Sequence, residues 1–394
     1  MKRRKLIVGV ALVAMIVSLG VGQAALDAWA ESQTREAPLF QVDPFWPKPL
    51  PNGWVLGTVI GVGVDSRDHV FVVHRGVTGS EAAADQDPPL ADCCSSAPPV
   101  LEFDPEGNLV NAWGGEDGDD YEWVGSNHGV GIDDKDNIWI GSNGQDSYIL
   151  QFTRDGEYLR TVGRPGMSQD SNALDHFWRV AKVAFDFENQ EAYVADGYGN
   201  RRVAVVDMES GEIVRYWGAY GNRPDDDYQF QDGRGQPGWS ADQNPVSQFR
   251  NPVHCAEPSR DGLIYVCDRQ NNRVQVFTRE GEFVDEGFFA PETLGDGSTW
   301  EIAFSPDEEQ RFFYLADGKN SRIRIVERAT LEEVSTIGTG GRYPGQFQAI
   351  HSIATDSQGN LFGTETYQGR RIHKFVYQGV GPAPRHQGSG WPGR

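Results

Sequence analysis

Positive charge is scarce in this chain: 35 Lys and Arg stand against 57 Asp and Glu, a formal net charge of −22. That balance argues against nucleic acid as a partner, because phosphate binding needs a basic footprint. The acidic surplus reads as solubility. Cysteine is scarce too. Four residues in 394 do not make a disulfide scaffold, and no Cys-x-x-Cys occurs, so a dithiol redox motif is not expected. Helical periodicity of useful length is missing beyond the N-terminus. A single apolar run, from Leu6 to about Gly22, is long enough to concern a membrane.

That run follows Lys2-Arg3-Arg4-Lys5 and precedes Ala28-Trp29-Ala30. A basic start, an apolar stretch and a small-x-small site describe an export signal over 1–30, cleaved before Glu31; the alternative is an uncleaved anchor. Periplasmic or extracellular placement follows, with no membrane contact after cleavage. The cysteines suit such an oxidising compartment. Cys255 and Cys267 flank a hairpin turn symmetrically and can face each other across paired strands. Cys93 and Cys94 are neighbours, where a bridge is strained. Cross-pairing of the two couples, or a thiolate metal site at the vicinal pair, stays open.

What is present is a repeat. Residues 31–54 read as an irregular, Pro-bearing segment, 55–379 as repeats, and 380–394 as a loose Gly/Pro-rich tail. A unit recurs six times: an apolar strand, a D/S-x-x-(G/D) turn, a second strand ending near Asp, a loop, a third strand. YVADGYGNRRV, YVCDRQNNRVQVF and YLADGKNSRIRIV are close echoes. NLVNAWG, EYLRTVG, EIVRYWG and EVSTIG supply fourth strands. Alternating β-branched residues between turn signals read as antiparallel strands. Six units of four strands predict an all-β, six-bladed propeller, which closes on itself, so a monomer is the default. Two insertions, 77–99 and 219–250, interrupt the repeats as functional or disordered loops.

Histidines keep the phase of the repeat. His128, His254 and His351 each stand five residues before the turn opener, at Asp133, Ser259 and Asp356. The intervening copies put Ile60, Ala181 and Trp300 in that slot. Three imidazoles from alternate blades converge at the start of the channel-lining strands. Three neutral His with a vacant fourth position form a catalytic zinc pattern, one ion per chain. The bland alternative is that each merely caps a strand start. The second strands end on the same face and bring His74, Arg75, Tyr198 and Arg269 to the rim. Two arginines suit a carboxylate, and a tyrosine beside them is a candidate base. The alternatives are pairing with blade-edge carboxylates such as Asp268, and packing for Tyr198. The Asn-x-Arg phrases at Asn200, Asn272 and Asn320 read as blade architecture, with Arg202, Arg273 and Arg322 tying loops. Asp196, Asp268 and Asp317 read as turn formers. His69, His176, His373 and His386 are out of phase and structural.

The phrases HRG (74–76), HGVGID (128–133), ADGYGNRRV (195–203), VHCAEPSRDGLIYVCDRQNNRVQVF (253–277) and IHSIATDSQGNLF (350–362) resemble the lyase domain of peptidylglycine α-amidating enzymes, an NHL-repeat propeller. The resemblance covers most of 55–377. It implies zinc on His128, His254 and His351, a catalytic Tyr198, and Arg75 and Arg269 at the substrate. The implied reaction cleaves the N–Cα bond of a peptidyl-α-hydroxyglycine, or a related α-hydroxy amide bearing a carboxylate, into amide and glyoxylate. The family's acidic residue after the third histidine, part of a calcium site, is Ser352 here, so calcium does not carry over. The family's cysteine positions do not match either, and no room remains for a copper hydroxylase domain. The competing readings are a metal-dependent lactonase-type hydrolase, which favours carboxylate ligands, and a non-catalytic binding propeller.

Overall fold

A computed structural model describes residues 35–388. The expected export signal at 1–30 lies outside them. Among the described residues no helix is long and apolar enough to cross a membrane. The chain is nearly all β: six sheets of four or five antiparallel-based strands form the six blades of a propeller.

The turn motif has a local cause. In blade one the carboxylate of Asp65 accepts the backbone N–H groups of Arg67 and His69. Asp133 does the same for Lys135 and Asn137, and Asp356 for Gln358 and Asn360. Ser259 substitutes its hydroxyl, accepting from Leu263 N. The fourth turn residue takes a left-handed conformation in each case: Asp68, Asp136, Gly262 and Gly359 have φ of 61, 58, 83 and 83°. Only Gly, or a short polar residue, occupies that region readily.

Each first strand therefore reverses tightly into the second. In blade two Asn127–Ile132 pairs with Ile138–Ser142; in blade four Val253–Pro258 pairs with Leu263–Asp268; in blade six Ile350–Thr355 pairs with Leu361–Glu365. Between blades, apolar faces interlock. Tyr193, Val205 and Trp217 of blade three pack with Val253, Ile264 and Phe277 of blade four in one cluster. Burial of apolar surface contributes roughly 25 cal/mol per Å², so these inter-blade seams stabilise the ring.

The repeated buried Asp finds its arginine. Arg202 bonds Asp196 at 2.9 Å and Arg273 bonds Asp268 at 2.8 Å, all four side chains fully buried. Arg202 also donates to the carbonyl oxygens of Ser171 and His176, and Arg273 to that of Val246, tying loops as expected. Blade five differs from expectation: Asp317 is taken by Arg324 at 2.6 Å, not by Arg322, because Arg324 is the residue on that strand whose side chain reaches the Asp317 carboxylate.

Both chain ends depart from expectation. Glu36–Asp43, expected to be irregular, is the outer strand of blade six, paired antiparallel with Ile372–Pro382 from Glu36↔Pro382 to Asp43↔Lys374. The propeller is thus closed by pairing the first strand of the described residues with a strand near their end. The expected loose tail contributes residues to that pairing, and His386–Gln387 then adds in parallel to Glu332–Ile337 of blade five. Both insertions are held on the rim face. Glu81 in 77–99 pairs with Arg370 of blade six at 2.9 Å. In 219–250, Arg250 Nε donates to Asn271 Oδ1 at 3.0 Å and Arg234 donates to the carbonyl of Gly295 at 3.0 Å. Cys255 and Cys267 are bridged across directly paired positions, and Cys93 is joined to Cys94 rather than cross-paired.

Candidate active site and metal centre

The first strands of blades two, four and six carry His128, His254 and His351 into one cluster, where one ligand atom from each lies within 4.8 Å of the others. All three are buried. Their ring centroids are 5.2, 4.9 and 4.9 Å apart, at steep angles to one another. The slot residues of the intervening blades prove to be part of the same device. His128 Nδ1 donates to the carbonyl of Ala181 at 2.7 Å, and His254 Nδ1 to that of Trp300 at 2.6 Å. The Ile60 carbonyl faces His351 and opposes only part of the lowering that burial imposes on it, although His351 Nδ1 makes no hydrogen bond of normal geometry. Ile60, Ala181 and Trp300 act through backbone oxygen, which explains why their side chains share nothing.

A proton fixed on Nδ1 leaves Nε2 with its lone pair, the tautomer a metal needs. Burial, with Arg75 and Arg269 nearby, pushes His128 down to about 3. Burial and the neighbouring Arg269 push His254 well below the usual imidazole range; burial and His128 do the same to His351. The triad is therefore neutral at physiological pH.

Tyr198 completes the centre. Its Oη lies 2.9 Å from His128 Nε2 and 3.1 Å from His254 Nε2, and accepts from Arg269 at 3.0 Å. One phenolic proton cannot satisfy two lone-pair nitrogens, so one of the two contacts sets lone pair against lone pair. A site with this surplus of acceptors fits a cation, and three imidazoles with a phenol fit zinc or a similar borderline ion better than calcium.

The two arginines are held differently. Arg269 is buried, stacked 3.7 Å over the Trp300 ring, with Nε on the carbonyl of Asp296 at 2.8 Å and the Asp296 carboxylate 3.6 Å away. Arg75 is half-buried. Its Nε donates to the carbonyl of Asn127 at 3.1 Å and one terminal nitrogen to Asn143 Oδ1 at 2.6 Å. No carboxylate among the described residues pairs with it, and burial lowers its pKa. Asp268, the alternative partner raised by the sequence, is occupied by Arg273.

These groups line a cavity of about 320 Å³ with Ile60, Asn143, Asp296, Trp300 and Tyr367. Sequence reasoning brought His128, His254, His351, Arg75, Tyr198 and Arg269 together, and the structure does too. It missed Asn143, which directly follows the second strand of blade two as Arg75 and Arg269 follow theirs, and Tyr367, which stands two residues past the second strand of blade six as Tyr198 does in blade three. That shared phase was the available signal. His74 turns away: its Nδ1 accepts from Gly57 N and its Nε2 donates to Pro98 O. His69, His373 and His386 bond Glu102, Glu365 and Thr336 respectively, outside the site.

The channel below the triad holds a cation of the protein's own. Lys182 Nζ lies 2.8 Å from Glu257 and 2.7 Å from Glu301, and Ser352 donates to Glu301 at 2.7 Å. Burial favours the neutral amine, but the two carboxylates outweigh it and hold the ammonium. The residue after the third histidine thus joins a lysine-centred network.

No protein-family model matches the chain. It is 25% identical over 309 residues to NHL repeat-containing protein 3 of Mus musculus, covering 77% of this chain and 70% of that protein. It is 27% identical over 226 residues to peptidyl-glycine alpha-amidating monooxygenase B of Xenopus laevis, covering 47% of this chain and 23% of that protein. For peptidylglycine alpha-amidating monooxygenase of Rattus norvegicus the identity is 26% over 242 residues, 58% of this chain and 22% of that protein. The chain thus matches less than a quarter of either amidating enzyme's length. Among solved structures, a structural genomics protein of unknown function from Bacteroides thetaiotaomicron shares the fold at TM-score 0.53 and 13% identity, over 87% of this chain and 77% of that one.

Proposed function

We propose that this chain is an exported, zinc-dependent carbon–nitrogen lyase that acts as a monomer on an α-hydroxyglycine amide, peptidyl or small, and releases the amide and glyoxylate. The observation that carries the reading is one phenol shared by two neutral imidazoles and Arg269, beside an arginine with no carboxylate partner among the described residues. Zinc bound by His128, His254 and His351 with a fourth position open would supply a Lewis-acid contact that acidifies a hydroxyl oxygen. Arg75 binds the substrate carboxylate. Tyr198 Oη, held by Arg269, is the group placed to take the hydroxyl proton and return it to the leaving nitrogen. The O–H pair becomes the new C=O bond and the C–N pair leaves with nitrogen, so no oxidant or second substrate is needed. Two disulfides suit an oxidising compartment. The similarity to amidating enzymes supports this chemistry.

A second reading, a non-catalytic NHL scaffold, is favoured by the longer match to NHL repeat-containing protein 3. Metal analysis of the purified chain beside a His128→Ala/His254→Ala variant separates the two. About one zinc per chain, lost in the variant, with glyoxylate released from α-hydroxyhippurate, is the expected result. No metal in either protein after zinc is supplied leaves the scaffold. Bound metal with lactone hydrolysis and no glyoxylate gives a hydrolase.

A further inference from the structure

Asn143 stands out among the cavity-lining side chains because half of its amide is used and half is not. Its backbone is pinned on both sides: its N–H donates to the carbonyl of Ser126 at 3.1 Å, and its own carbonyl accepts from Arg179 Nε at 2.9 Å. Its Oδ1 accepts two donors, Arg75 at 2.6 Å and the Ser126 hydroxyl at 2.9 Å. Two donors on one atom fix which end of the amide is oxygen. Nδ2 is therefore the remaining end, and it has no partner among the described residues although Asn143 lines the cavity. The neighbouring Arg75 has its Nε and one terminal nitrogen engaged, by Asn127 and Asn143, and no carboxylate paired with it among the described residues.

We infer that Asn143 Nδ2 and the free edge of Arg75 form a two-residue clamp for a planar carboxylate, which makes Asn143 a substrate-binding residue and restricts ligands to those that present a carboxylate to blades one and two. A guanidinium edge beside an amide N–H₂ offers donors to both oxygens of one carboxylate, whereas a neutral amide in the same place would bring its own N–H₂ against them. Asn143 thereby does two things: its oxygen aims Arg75, and its nitrogen touches the ligand. Because the strand end and the Arg179 contact hold it rigid, the clamp is formed before the ligand arrives, which lowers the ordering cost of binding. This rests on the lyase reading for the identity of the acid, but the clamp itself depends neither on metal nor on turnover.

The test uses the purified chain, with and without added zinc, and titrates N-acetylglycine and its neutral counterpart N-acetylglycinamide by calorimetry. The wild type is expected to bind the acid and to discriminate against the amide. Asn143→Ala should weaken the acid about 10- to 100-fold, as for loss of a hydrogen bond to a charged group, and leave the amide unchanged. Asn143→Asp, which pairs with Arg75 and repels the ligand, should abolish acid binding. With zinc and α-hydroxyhippurate, Asn143→Ala should raise KM at least tenfold more than it lowers kcat. A wild type that does not prefer the acid overturns the clamp, as does Asn143→Ala with wild-type affinity and an unchanged melting temperature. If the acid titrations succeed and no glyoxylate forms, the clamp stands and the lyase reading fails.

Discussion

His254 Nδ1 lies 2.6 Å from the carbonyl oxygen of Trp300, and the indole of that same Trp300 carries the Arg269 guanidinium 3.7 Å above its ring. One residue of blade five thus orients an imidazole of the triad through its backbone and the tyrosine-holding arginine through its side chain. Substitution separates the two roles. Trp300→Phe keeps the carbonyl, so zinc content should stay near that of the wild type. It removes the indole under Arg269 and the indole N–H bond to the carbonyl of Gly297. A cation–π contact in a buried site is worth about 1–2 kcal/mol and a phenyl ring keeps part of it, so kcat should fall by up to roughly 30-fold. Metal analysis beside steady-state kinetics checks this; zinc lost from Trp300→Phe would mean that the side chain, not the carbonyl, sets the imidazole.

Which parts were legible follows from what repeats. The triad, Arg75, Tyr198 and Arg269 share a phase within the unit and have distinctive chemistry, so spacing alone brings them together. Asn143 shares the phase of the two arginines and Tyr367 that of Tyr198, but an asparagine or tyrosine after a strand carries no signal by itself. Ile60, Ala181 and Trp300 were visible as gaps in the histidine pattern, and their backbone role has no sequence signature at all. Glu36–Asp43 was missed for another reason: its partner, Ile372–Pro382, lies at the far end of the chain, and Pro38 interrupts its alternation. Arg324 displaced Arg322 at Asp317 because the echo YLADGKNSRIRIV keeps the letters of the motif while a neighbouring arginine makes the contact.

The unequal anchoring of the two arginines gives a kinetic split. Arg269 is bonded to Tyr198, stacked on Trp300 and paired with Asp296, whereas Arg75 has an open edge. Arg75→Met should raise KM for a hydroxyglycine amide at least tenfold with the smaller effect on kcat, because it removes ground-state binding of the carboxylate. Arg269→Met should lower kcat about 100-fold with the smaller effect on KM, because it frees the atom that moves the proton. Equal effects on both parameters in both variants would remove this division of roles.

Lys182 offers a stability test away from the chemistry. Its ammonium joins Glu257 and Glu301, while Ser352 bridges Glu301 to Val62 N at 3.1 Å, so the network crosses from blade three to blade one. Lys182→Met leaves buried carboxylates without their counter-charge, an effect of about 3–5 kcal/mol. Urea unfolding should show that loss. Adding Glu301→Gln to the same chain should recover part of it, since one of the uncompensated charges is then gone. A Lys182→Met protein as stable as the wild type would mean that the carboxylates are neutral already.

Acid stability should report on Glu191. Burial would raise its pKa, but hydrogen bonds from Arg215, Tyr193 and Arg279 outweigh that and bring it from 4.5 to about 2. Its side chain is 14% exposed, so solvent screens the Arg215 pair only weakly. A carboxylate with a depressed folded-state pKa stabilises fully above its unfolded value and loses that contribution as pH falls through the folded one. The contribution is about 2–3 kcal/mol at neutral pH. Glu191→Gln should therefore be less stable than the wild type by up to that amount at pH 7. The gap should narrow below about pH 4.5 and close near pH 2, where the wild-type carboxyl is itself protonated. Paired denaturant titrations from pH 7 down to pH 2 measure it. A gap that persists unchanged to pH 2 would assign the loss to packing around Arg215 and Arg279 rather than to the charge.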